Sequence, residues 1–194
     1  QASGIDFSFV VSHRTIKEGT SSMGANPLCG DRTPSPPDLS ENGHSLGYLL
    51  SLGGFQFLNL GDLTPDIQHS LACPDSILPP VDILQVPHHG NGLAPELIWA
   101  VSPSVAVVAN GPYKGGGSVG YEIVSQSPAL NDIWQLHYSL DSDSAHNTDR
   151  SRIANLTDEH DCQGHWIKAT VAGDGRSYSI TTSRRSDIIS YGWR

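Results

Sequence analysis

The sequence has no run of eighteen or more apolar residues, the length a helix needs to cross a bilayer. Its first residues, QASGIDFSFVV, show no charged-then-apolar leader, so neither a membrane span nor a retained signal peptide is expected, and the chain reads as soluble. Basic residues are scarce: 11 Lys and Arg stand against 20 Asp and Glu, a formal charge of -9 that argues against a broad nucleic-acid surface. Small ligands or metal-bridged anions suit that balance better. No G-x-S-x-G is present, and no cysteine has a flanking histidine motif, which leaves serine or cysteine hydrolysis without support. The stretch NGPYKGGGSVG lacks the G-x-x-x-x-G-K-[ST] spacing of a phosphate loop and reads as a flexible loop, with Lys114 placed to meet an anion. Cys29, Cys73 and Cys162 form no C-x-x-C, which speaks against a structural zinc knuckle. A Cys29–Cys73 disulfide, implying an oxidising compartment, and free buried thiols both stay open.

What is present points to one domain over residues 1–194, since 194 residues at 37% hydrophobic content can bury a sizeable core. IDFSFVV reads as a strand, and the Pro- and Gly-rich stretch from about 17 to 43 as a covering loop. LGYLLSL and FQFLNL, separated by Gly53 and Gly54, read as a hairpin. VDILQV and SVAVVAN read as buried strands with a short helix, PELIWAV, between them; VGYEIVSQ and LNDIWQL read as further helices. GHWIKATVA and SYSITTS, joined around GDGR, read as a second hairpin.

The chemistry rests on two strand ends. In NLGDLT, Asp62 follows a strand and a glycine; in VDILQVPHHGNG, His88 and His89 follow a strand and a proline. Both sets should emerge at one sheet edge, and a carboxylate with imidazoles is a ligand set for zinc, manganese or iron. Such a metal lowers the pKa of bound water and polarises a phosphoryl or carbonyl group. Taken singly, an Asp after Gly is a turn residue and a histidine a satisfied structural group; the two matched motifs favour the metal reading.

FLNLGDLT and VDILQVPHHGNG, with ENGHSLGYLL before them and SVAVVANGP after, resemble the metallo-β-lactamase-fold hydrolases, especially the branch related to the hydrolase domain of competence proteins. The likeness is strongest from about 41 to 117, and WQLHYSL and DCQGHWIK are similar to a bacterial subgroup of that branch. The resemblance implies that Asp62 bridges metals and that one of His88 and His89 is a ligand, with the other near the substrate. Asn42 falls near a further site position of some relatives. Relatives of this branch are often exported.

The family's H-x-H-x-D-H motif occurs nowhere in these residues. The resemblance therefore implies an α/β fold that is the C-terminal half of an αββα sandwich, a mixed sheet with flanking helices. A half-sandwich exposes one face of its sheet, and a homodimer is expected to cover it. Recruits to the site would then be His165 in GHWIK and His160 in EHDCQGH, each also readable as part of an exposed polar loop. His137 reads as capping the helix before it, His44 faces the site if the first hairpin strand neighbours the Asp62 strand, and His13, His69 and His146 have no supporting context. The expected function is zinc-dependent, broad-specificity cleavage of small phosphodiesters or phosphotriesters by metal-activated water, with Asp62, His88 and His89 carrying it. The alternative is a non-catalytic remnant or split half of a larger metallo-hydrolase, working through a partner interface.

Overall fold

The computed structural model describes residues 4–18, 22–30, 35–158 and 163–192. In chain order its strands and helices begin with β1 (Ile5–Ser12), β2 (Thr15–Ile16), β3 (Gly24–Ala25), β4 (Gly47–Leu52) and β5 (Phe55–Asn59). Helix α1 (Pro65–Ala72), β6 (Asp75–Ser76), β7 (Ile83–Gln85), α2 (Pro95–Val101), β8 (Val105–Val108), α3 (Ser118–Ser125) and β9 (Asp132–His137) follow. The last are β10 (Ile153–Asn155), β11 (Ile167–Val171), β12 (Ser177–Thr182) and β13 (Ile189–Gly192).

The central sheet is mixed, in the order β10-β9-β8-β7-β5-β4-β1-β2. Strands β5, β7, β8, β9 and β10 run parallel, whereas β5, β4, β1 and β2 meander antiparallel. This is an α/β architecture, as expected, and it follows from period-2 burial. Leu58, Leu84, Ala106 and Ile133 sit opposite one another across four strands and pack with Leu71, Leu97, Ile98 and Val124 of the helices. Their neighbours Phe55, Ile83, Val105 and Trp134 point to the other face, where Tyr178 and Ile180 of the antiparallel β11-β12-β13 sheet close a second core. Hydrogen bonds lock that small sheet down: Tyr191 donates its hydroxyl to Asp132 Oδ2 at 2.6 Å and accepts from Trp134 Nε1 at 3.1 Å.

Two expectations are corrected. LNDIWQL is not a helix, because β9 is a central strand with Ile133, Trp134 and Gln135 buried in succession; covered on both faces, it shows no alternation to betray it. His137 therefore ends a strand and caps no helix. The glycine stretch after Pro112 is no loose loop: Gly116 donates its N–H to the His89 carbonyl at 2.8 Å, and a Cβ on Gly115 would lie 2.4 Å from the Cβ of His89.

Of the two cysteine readings, the disulfide is the one found: Cys29 and Cys73 are bonded, with Cα atoms 5.7 Å apart, and tie the β3 segment to the end of α1. Cys162 lies outside the described residues. The sheet face opposite the helices stays partly open where β1 leaves the cover of β12, with Ile5, Phe7 and Phe9 at 68%, 47% and 50% exposure.

Candidate metal centre

Parallel strands β5 and β7 end side by side, so the loops after them meet at the carboxyl edge of the sheet, the usual place for a site in an α/β fold. The His88 N–H donates to the Gly61 carbonyl at 3.0 Å, stitching the two loops together. Gly61 turns at φ 56°, and its N–H is held by the Asn59 side chain at 2.8 Å, which aims Asp62 outward. The Asp62 N–H donates to Ser45 Oγ at 3.1 Å.

After Pro87 the chain runs through His88 and His89 at φ 49° and 58°, left-handed conformations that cost a non-glycine residue about 1–2 kcal/mol each. Such strain persists only where the surroundings over-determine it, and it concentrates at functional sites. Here Pro87, the Gly61 carbonyl, and the Gly115–Gly116 backbone packed on His89 supply that determination.

His89 Nδ1 lies 2.7 Å from the Ala109 carbonyl. A carbonyl only accepts, so Nδ1 carries the proton and Nε2 is the position turned to the site, where it lies 3.5 Å from Asp62 Oδ1. A ring lone pair facing a carboxylate needs a proton or a cation between them. Two ligands about 2.0–2.2 Å from a tetrahedral zinc stand roughly 3.4 Å apart, so this pair fits a shared ion. The ring-to-carbonyl bond is the outer contact that ligating histidines ordinarily make.

His88 points differently. Its Nε2 lies 3.2 Å from Asn42 Nδ2, its Nδ1 is buried with no hydrogen-bond partner, and its ring centre is 6.3 Å from that of His89. It lines the same edge without closing a three-ligand cage with Asp62 and His89. His44 is exposed nearby, its ring edge-on to that of His13 at 5.6 Å. Arg14 reaches from the β1–β2 turn to the Asp38 carbonyl and to Asp66. Burial alone pushes the Asp66 carboxyl upward, but the Thr64 hydroxyl and the Arg14 guanidinium outweigh it and hold the group below its ordinary value.

The remaining expected ligands lie elsewhere. His165 bonds through Nδ1 to Ser183 Oγ at 3.1 Å, and its backbone pairs with the Asn155 side chain, so it clips β10 to β11. His160 falls outside the described residues. His137, at the end of β9, has its pKa lowered by burial against an opposing pull from Asp158.

Among the described residues, a trio of ligand-type atoms within 4.8 Å of one another does occur, at His69, Cys73 and Glu96. Nothing in the sequence joined these three. Thr64 followed by Pro65 is nevertheless a helix-start signal, and reading α1 from it places His69 one turn inside, near Cys73.

No family model, curated protein or solved structure matches the chain.

Proposed function

We propose that this chain is a metal-dependent hydrolase of phosphoesters, built on one half of a metallo-β-lactamase-like αββα sandwich. The observation that carries the reading is His89, whose Nδ1–H is held by Ala109 while Nε2 stands 3.5 Å from Asp62 Oδ1. Zinc, with manganese or iron as substitutes, would be held by Asp62 and His89 and would supply Lewis acidity and an activated water. The chain's own residues orient: Ser45 and Gly61 fix Asp62, Ala109 fixes the His89 tautomer, and Asn42 holds His88 on the rim. Beside the histidine turn lies a hollow of about 340 Å³ whose lining includes Gly90, Asn91, Gly117, Ser118 and Asp141. It is open to solvent, which suits small esters of varied shape.

The test is a zinc- and manganese-loaded assay on phosphodiesters and phosphotriesters, with a chelator control. Hydrolysis that falls at least a hundredfold in Asp62→Ala and His89→Ala supports the reading; no metal-dependent turnover on either class overturns it.

A second reading, a non-catalytic module acting through a partner, is favoured by the open sheet face. Phe7 stacks on Tyr48 at 4.7 Å, Tyr48 meets Phe57 at 6.1 Å, and Phe9 lies edge-on to Phe7 at 5.1 Å, forming one aromatic patch on β1, β4 and β5. A second copy covering it would make the homodimer expected above. A stable dimer that binds no metal, and becomes monomeric in Phe7→Ser/Phe9→Ser, would favour this reading over the first.

A further inference from the structure

We propose that the Cys29–Cys73 disulfide is the oxidised state of a redox-gated zinc site, separate from the Asp62–His89 pair, with His69, Cys73 and Glu96 as ligands and Cys29 as the fourth. His69 and Glu96 form a largely buried pair, Nδ1 to Oε1 at 2.5 Å, between α1 and α2. Cys73 caps α1 one turn after His69, and its sulfur joins their two donor atoms within a 4.8 Å group. A nitrogen, a carboxylate oxygen and a sulfur converging in so small a space are all atom types that bind zinc. The oxidised sulfur is a poor ligand, because zinc binds thiolate.

Reduction supplies what is missing. A phosphine reductant passes two electrons to the S–S bond and takes oxygen from water as phosphine oxide, and the two water protons leave Cys29 and Cys73 as thiols. Zinc binding then releases both thiol protons and forms two Zn–S bonds. Cys29, bonded to Cys73 in the oxidised state, is the adjacent thiolate once that bond opens and would serve as the fourth ligand. Access exists: a surface hollow of about 210 Å³ lined by Pro65, Leu93, Pro95, His69 and Glu96 opens onto the pair. Either state ties the segment around Asn26 to α1 and α2, one through a covalent bond and the other through an ion.

The test uses the full chain carrying Cys162→Ser, so that no third thiol contributes, and cobalt(II) as the probe. Oxidised and phosphine-reduced protein are titrated, and absorption is followed in the near ultraviolet, where thiolate-to-cobalt charge transfer appears. The expected result is one more cobalt per chain in the reduced form, with that absorption, weakened at least tenfold in affinity by His69→Ala or Glu96→Gln while the circular dichroism is unchanged. The same difference should persist in Asp62→Ala, which separates this site from the proposed hydrolytic one. Equal cobalt in both redox states, or a reduced-state signal indifferent to both His69→Ala and Glu96→Gln, folded or unfolded, would overturn it.

Discussion

His89 and Asp62 face each other across 3.5 Å, Nε2 to Oδ1, from loops that follow two neighbouring parallel strands. The Ala109 carbonyl takes the other ring nitrogen, so Nε2 is the atom that faces the carboxylate. If the pair holds an ion, Asp62→Ala should remove one zinc per chain from the oxidised protein, and His89→Ala should do the same. Elemental analysis after desalting measures it. Zinc content unchanged in both variants would break the assignment.

The site's shape depends on backbone contacts that only glycine permits. A Cβ on Gly120 would sit 1.9 Å from the Gly90 carbonyl oxygen, at the end of the histidine turn, where no side chain can yield. Gly120→Ala should cost about 3 kcal/mol in urea unfolding and weaken zinc binding. Gly173→Ala, where the added carbon meets nothing within 4 Å, is the control and should stay within about 0.5 kcal/mol.

Two groups tie stability to pH in the same direction. Asp66 has a folded pKa below its ordinary value, so its contribution is full above the unfolded pKa of about 3.9 and is lost as pH falls through the lower folded value. His137 is also lowered, by burial, so the unfolded chain takes up its proton first; stability should decline as pH drops from about 6.5 toward the folded value, then level off. Thermal unfolding from pH 7 to 3 should therefore show two descending limbs. His137→Gln should flatten the upper one and Asp66→Asn the lower.

Tyr191 joins the C-terminal sheet to β9, donating to Asp132 and accepting from the Trp134 indole. Burial, then the Asp132 contact, pushes its phenol well above the ordinary range, so it remains a neutral donor at working pH. Tyr191→Phe leaves the partly buried Trp134 N–H without this acceptor and should cost about 1–3 kcal/mol, read from denaturant midpoints. A change below about 0.5 kcal/mol would mean that the small sheet is held by its apolar contacts alone.

Much of the frame was legible locally. Strand β1, the hairpin around Gly53, the α2 and α3 helices and the final hairpin all follow from period and turn residues, and each occurs as read. The failures share a cause. LNDIWQL has the length of a short helix and the burial of a central strand, and no local pattern separates the two when both faces are covered. The glycines at 115 and 116 look like a loose loop until His89 is packed against them.

The sequence by itself determined where the candidate chemistry would surface, because a strand followed by Gly-Asp or Pro-His-His ends its ladder there and presents those side chains at the sheet edge. Only the tertiary structure decided which histidine pairs with Asp62, since that turns on the Ala109 carbonyl twenty residues downstream. It also decided that Cys29 meets Cys73 across 44 residues, and that His69 meets Glu96 between two helices. Such partners are chosen by which strands and helices pack side by side, and that is a property of the whole chain.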